Sequence, residues 1–132
     1  MVGQFQDAVA WYHNSGKSGA DRFVLVDSAI VRLPRGSNGV PELYDADRDG
    51  DLDLFLGDAG GRIAFFRNDG SRQAPHFVLV SDDYLGKRVG RRVVPRFLGN
   101  VLVLDIRGTG TPDLFVGGAG GGISYFIANR PR

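Results

Sequence analysis

The feature that most constrains this chain is an internal repeat. Residues 45–66, DADRDGDLDLFLGDAGGRIAFF, align without a gap with residues 105–126, DIRGTGTPDLFVGGAGGGISYF. A partial third copy lies near the start, where residues 11–26 align with residues 65–80, again without a gap. A chain built in this way is expected to stack copies of one supersecondary unit, because each copy buries its apolar face on its neighbours.

The apolar segments within each copy are short and predict strands rather than helices. They are bounded by Gly, Asn and Asp turns, and the 20 glycines are about twice the average share. The predicted strands are Leu54–Leu56, Ile63–Phe66, Phe77–Val80, Val101–Leu104, Leu114–Val116 and Ile123–Ile127. Residues 57–61 and 117–122 are predicted hairpin loops, and residues 14–16 and 68–70 are predicted tight turns.

Four short strands in each repeat of this length are typical of a β-propeller blade. We therefore predict an all-β fold of four-stranded antiparallel blades, with about two repeat units in one domain. The units are a partial repeat at 1–26, a repeat at about 40–84 and a degenerate repeat at about 95–132. Because two units leave two faces uncovered, we expect part of a larger propeller or a homo-oligomer, such as a ring of roughly three or four chains.

Composition excludes several classes of function. The net charge of +1 argues against nucleic acid as a partner, and no apolar run is long enough for membrane insertion as a helix. Without cysteine the chain has no disulfide and no thiolate metal site. The first ten residues lack the pattern of a signal peptide. No catalytic constellation is visible, so we expect the chain not to be an enzyme.

Five aspartates alternate along one loop, with glycine at its sixth position. They are Asp45, Asp47, Asp49, Asp51 and Asp53. Alternate residues of a tight loop point at one centre, and calcium takes six to eight oxygen ligands. Carboxylates this close repel one another unless a cation neutralises them, and Arg48 is expected to point away. We predict a Ca²⁺ site with the side chains of all but Asp51, which offers its backbone carbonyl oxygen; the alternative is a solvated acidic turn.

The surroundings of this loop separate it from other calcium loops. An EF-hand needs Glu at position 12 and flanking helices, whereas Leu56 lies there within a predicted strand. The run DxDxDGDxDLFLG, followed by a Gly-rich hairpin, FFRNDG and APHFVLVSD, resembles the FG-GAP/VCBS repeat. That repeat builds the β-propeller of integrin α subunits and of many secreted bacterial proteins. The resemblance covers essentially the whole chain.

The resemblance implies a function as well as a fold. It places calcium between two strands of a blade, bound through the same five aspartates. It implies a binding, adhesion or scaffold module with a protein or carbohydrate ligand, located outside the cell or at the cell surface. Extracellular calcium modules bind the ion at about 10⁻⁴–10⁻³ M. The alternative implied by the family is a part of a secreted polysaccharide-degrading enzyme.

The second copy of the loop keeps only the terminal aspartates. Between Asp105 and Asp113 stand Arg107, Thr109 and Thr111, where the first loop has three further aspartates. We expect no calcium here. One hypothesis is that the Arg107 guanidinium reaches Asp105 or Asp113 and substitutes for the ion, since its five donors form a rigid fork. The alternative is that Arg107 points to solvent.

Other candidates carry weaker signals. Residues 16–18, Gly-Lys-Ser, are not the end of a P-loop, because Trp11 stands where that motif needs glycine. His13 and His76 have no Ser or Cys partner and are expected to be exposed. A basic cluster is predicted to be a solvated loop, or else to bind an acidic polysaccharide or phosphate. It comprises Lys87, Arg88, Arg91, Arg92 and Arg96.

Overall fold

The computed structural model describes residues 1–3, 7–33, 39–84, 100–117 and 122–127. The elements named in these ranges are β-strands, which confirms the predicted all-β class. They are β1 (Val2–Gly3), β2 (Ala8–Asn14), β3 (Phe23–Arg32), β4 (Val40–Tyr44), β5 (Asp53–Gly57), β6 (Ile63–Asn68), β7 (Phe77–Ser81), β8 (Asn100–Leu104), β9 (Asp113–Gly117) and β10 (Ile123–Phe126). No helix in these ranges is long and apolar enough to span a membrane.

The strands form three antiparallel sheets. The first sheet has the order β1-β2-β3, the middle sheet β4-β5-β6-β7 and the third sheet β10-β9-β8. The six strands predicted from the apolar runs are all present as β5 to β10. β4 escaped prediction because Pro41 and Glu42 interrupt its apolar pattern. Proline is tolerated there because β4 lies at the edge of the sheet, with β5 as its one partner among the described strands.

The strand register reproduces the sequence repeat residue by residue. Leu54 pairs with Phe66 in the middle sheet, and the residues aligned with them, Leu114 and Phe126, pair in the third sheet. The alignment of the partial copy relates the first sheet to the middle sheet in the same way. The register of strand pairing also shifts at the same place in β2 and β6. The middle sheet is therefore one complete repeat. The first sheet corresponds to its last three strands, and the third sheet to its first three.

The three sheets stack face to face, and the core lies in the two spaces between them. One apolar cluster joins the first and middle sheets through Val9, Leu54 and Leu56. The other joins the middle and third sheets through Phe55 and Leu114, among others. Because consecutive residues of a strand point to opposite faces, the middle sheet contributes alternate residues to the two clusters. This explains why β5 is buried along its whole length.

The turn between β6 and β7 depends on one buried asparagine. The side-chain oxygen of Asn68 accepts hydrogen bonds from the backbone N–H of Gly70 (3.1 Å) and of His76 (2.9 Å). Asn14 accepts the corresponding bonds from Gly16 (3.0 Å) and Arg22 (3.1 Å) in the first sheet. Both predicted tight turns are thus confirmed, and they share one construction.

Glycine is required in this turn because a side chain has no room. A Cβ atom on Gly70 would overlap the carbonyl oxygen of Ala74 and lie 2.7 Å from the backbone nitrogen of His76. We therefore expect Gly70→Ala to lower the free energy of unfolding by about 1–3 kcal/mol in urea denaturation. Gln73→Ala, an exposed position of the same turn, is the control and should change it by less than about 0.5 kcal/mol. Equal effects of the two substitutions would contradict this account of the turn.

Candidate metal centre

The aspartate loop connects two paired strands of the middle sheet. Tyr44 pairs with Asp53 at the end of the β4–β5 ladder, so the intervening residues must reverse the chain. Two of them have left-handed backbone conformations, Arg48 with φ 69° and Gly50 with φ 96°. The corresponding positions of the second loop are also left-handed and are both glycine, with φ 61° at Gly108. The two loops therefore share one backbone path although their acidic residues differ.

The carboxylates of the first loop turn inward onto the backbone of that loop. Asp45 accepts hydrogen bonds from the backbone N–H of Arg48 (2.7 Å) and of Gly50 (3.2 Å). Asp47 accepts one from Asp49 (3.3 Å), and Asp49 accepts one from the next aspartate along the loop (2.9 Å). Asp45, Asp47 and Asp49 thereby each present an oxygen within 4.8 Å of the others. Asp45 is half-buried and the other two are exposed.

The remaining two predicted ligands lie outside this group of three. Asp51 contributes its backbone N–H to Asp49. Asp53 begins β5 and is buried, and its two oxygens accept hydrogen bonds from the backbone N–H of Ala46 (2.9 Å) and of Asn68 (2.8 Å). Asp53 thus ties the start of the loop to the end of β6, a role that the alternation of aspartates did not indicate.

The pKa of Asp53 also depends on the charges of the loop. Burial raises the pKa of its carboxyl, and the backbone hydrogen bonds from Asn68 and Ala46 lower it in part. The charges of Asp47 and Asp49 raise the pKa further. Asp53 therefore lies close enough to its neighbours for their repulsion to favour its protonated form.

The three clustered carboxylates form no ion pair within the described part of the chain, and Arg67 reaches Asp47 only through a longer-range electrostatic interaction. Ion pairs there join Asp58 to Arg62 and Asp7 to Arg32, but none involves Asp45, Asp47 or Asp49. The guanidinium of Arg48 lies instead against Gly110 in the second loop, where a Cβ atom would overlap it. Arg48 therefore joins the two loops, as sequence reasoning did not foresee. It forms no ion pair within its own loop.

The donor chemistry of the loop fits a hard divalent cation. Carboxylate oxygens are the ligands that calcium and magnesium prefer, and calcium tolerates irregular geometry with six or more oxygens. Asp45, Asp47 and Asp49 would bind such an ion directly, since they lie together and are accessible. Because none of the three is ion-paired within the described residues, their negative charges remain available to a cation.

In the second loop an arginine supplies the positive charge. Nε of Arg107 donates to both oxygens of Asp113 (3.0 Å each), and Nη2 donates to Oδ1 at 2.7 Å. Asp113 is completely buried, and it also accepts a hydrogen bond from the hydroxyl of Tyr125 at 3.2 Å. The predicted contact of Arg107 is thus confirmed, with Asp113 as its partner. Burial and the bond to Asp113 raise the pKa of Tyr125.

The first aspartate has the same role in both loops. Asp105 accepts hydrogen bonds from the backbone N–H of Thr109 (2.9 Å) and of Gly110, as Asp45 does from Gly50. Burial tends to raise the pKa of Asp105, but the bonds from Gly110 and Thr109 outweigh it, so that the pKa is lowered. The first aspartate therefore shapes the loop whether or not further acidic residues follow.

The other sequence candidates lie away from this centre. His13 and His76 are exposed, as predicted. Lys17, part of the rejected P-loop match, pairs with Ala20 in an isolated bridge of an ordinary turn. The basic cluster of residues 87–96 lies outside the described residues.

Removing Arg107 should destabilise the fold independently of any metal. Arg107→Ala removes the guanidinium that offsets the buried charge of Asp113, so we expect the thermal midpoint in EGTA to fall by several degrees. Arg107→Lys should recover only part of the loss, because an ammonium group cannot form the same fork. Arg67→Ala removes an exposed pair with Asp69 and serves as the control, with little change. If Arg107→Ala melts like wild type, the pair does not stabilise the loop.

The chain matches no protein-family model, no curated protein and no solved structure. The geometry of the two loops is therefore the main basis for the functional proposal.

Proposed function

We propose that this chain is a calcium-stabilised β-repeat module of the FG-GAP/VCBS type, whose sheets are blades of a β-propeller. The observation that carries the proposal is the contrast between the two loops. They share backbone conformations at the same positions, but one neutralises its buried aspartate with Arg107 while the other gathers three carboxylates that form no ion pair within the described residues. A cation bound to the first loop would offset part of the carboxylate repulsion there, as Arg107 offsets the charge of Asp113 in the second loop.

The ligands of the ion follow from the arrangement of the loop. Asp45, Asp47 and Asp49 are the core of the site, because their oxygens already converge. Asp53 and Asp51 complete the set that the resemblance implies. When bound, calcium would neutralise these carboxylates and fix the connection between β4 and β5. Its role is thus structural.

The function of the module is binding. A stack of sheets held at their faces leaves the connecting loops free to vary, and such loops commonly carry recognition. Together with the resemblance, this supports a binding, adhesion or scaffold role for a protein or carbohydrate ligand outside the cell, where calcium is abundant enough to fill a weak site.

Calcium should raise the thermal stability of the wild-type chain. For a site of about 10⁻⁴ M in about 10 mM calcium, the gain is about 2.7 kcal/mol, which corresponds to a midpoint several degrees higher than in EGTA. Asp47→Asn keeps the shape of a ligand and removes its charge, so most of the increase should disappear. Asp69→Asn lies outside the loop and should retain it. An equal response of Asp47→Asn and wild type would exclude the loop as the site.

The stabilisation by calcium should also depend on pH. Because the pKa of Asp53 is raised, its carboxyl takes up a proton at a pH above the ordinary range near 3.8. Protons then compete with the ion, so the calcium-induced increase in midpoint should decline as the pH falls through this raised pKa. In EGTA the pH dependence is reversed. The stabilising contribution of Asp53 is fully present below its pKa in the unfolded state and is lost as the pH rises through its pKa in the folded state.

Melting curves at several pH values with calcium and with EGTA measure both effects. Asp53→Asn removes the titrating group and serves as the comparison for the wild type in EGTA. A calcium-induced increase that stays constant down to about pH 4 would contradict the assignment of Asp53 to the site.

A further inference from the structure

The first and third sheets each have one outer face that no other described sheet covers. We define the leading face by Val2, Tyr12 and Phe23 of the first sheet, and the trailing face by Phe115, Ile123 and Tyr125 of the third. Each of these positions has a counterpart in the middle sheet, namely the residue that the sequence repeat aligns with it. The exposed fraction of each counterpart shows how much a neighbouring sheet buries a residue at that position.

Val2 and Tyr12 on the leading face are exposed although they occupy positions that are buried in the middle sheet, whereas Ala10, which pairs with Val2, is already buried. Val2 is 52% exposed, whereas its counterpart Leu56 is 0% exposed against the first sheet. Tyr12 is 38% exposed, whereas its counterpart Phe66 is 5% exposed. The chain thus repeats, on an open surface, the apolar residue types that it buries one repeat later.

The trailing face shows the same mismatch. Ile123 is 76% exposed, whereas its counterpart Ile63 is 1% exposed against the third sheet. The rings of Phe115 and Tyr125 stack with centroids 4.7 Å apart. The same stack at the same distance, 4.7 Å, is buried in the middle sheet around Phe55. An aromatic pair pre-arranged in this way is suited to burial beneath another sheet.

The interfaces between the described sheets show which type of face packs on which. Two interfaces are present among the described sheets, and in both a face of the trailing type packs on a face of the leading type. Val9, the counterpart of Ile63, packs with Leu56 between the first and middle sheets. Ile63 in turn packs with Val116, the counterpart of Leu56, between the middle and third sheets. The trailing face of the third sheet and the leading face of the first sheet would form a third interface of the same kind.

We propose that the trailing face binds the leading face of a second copy of this chain. The contact is heterologous, since two different surfaces meet, and it continues the stacking of sheets from one copy into the next. Both faces are apolar patches of the kind that mark interaction sites. The proposal depends on the sheet faces and not on the proposed calcium site, so either can fail without the other.

A heterologous contact, unlike a symmetric one, predicts that two variants blocked on different faces can still bind each other. Phe23→Glu blocks the leading face and Ile123→Glu blocks the trailing face, and both residues are exposed enough to be replaced without loss of the fold. Each variant alone should self-associate at least about tenfold more weakly than wild type in sedimentation velocity. An equimolar mixture should form a complex of two chains, because each variant retains the face that the other has lost.

The middle sheet provides the control substitution. Leu79→Glu alters an exposed apolar residue of the middle sheet, outside both faces, and should associate like wild type. Circular dichroism in the same buffer establishes that each variant is folded. Three results would overturn the proposal: a wild-type chain that stays monomeric up to about millimolar concentration, folded single variants that associate like wild type, or a mixture that contains monomers alone.

Discussion

The stacking of three sheets with a common register is the constraint on which the rest of this structure depends. Each sheet is too small to be stable alone, because a few short strands with one apolar face need a partner. The middle sheet gains a partner on both sides, which is why β5 is buried throughout. Its ladder with β4 then fixes the ends of the aspartate loop, because Tyr44 and Asp53 are held opposite each other.

Within this frame the two loops represent two solutions to one electrostatic problem. A buried aspartate begins the second strand of each repeat, and a buried carboxylate is costly unless hydrogen bonds or a positive charge compensate it. Asp113 is compensated by Arg107 and Tyr125. Asp53 has backbone hydrogen bonds but also the repulsion of neighbouring carboxylates, so the first loop is the one for which we propose a cation. Arg48, which rests on Gly110, connects the two solutions.

Local patterns made much of this predictable from sequence. Short apolar runs indicated the positions of β5 to β10, and the Asn-X-Gly triplets indicated the tight turns, because both depend on residues close together in the chain. β4 was missed because edge strands tolerate Pro41 and Glu42 without an apolar pattern. The contact of Arg48 with Gly110 was missed because it joins residues far apart in sequence. The choice of Asp113 over Asp105 by Arg107 likewise depended on side-chain geometry that spacing does not determine.

We propose that the first loop requires a cation and that the second does not. Calcium titration of the ¹⁵N-labelled chain, observed through backbone amides, tests this directly, since each loop reports separately. We expect the amide signals of Asp49 and Asp51 to shift and to saturate at one ion per chain, while the signal of Thr109 stays in place. No response of the first loop, or equal calcium binding by both loops, would rule out a cation requirement specific to the first loop.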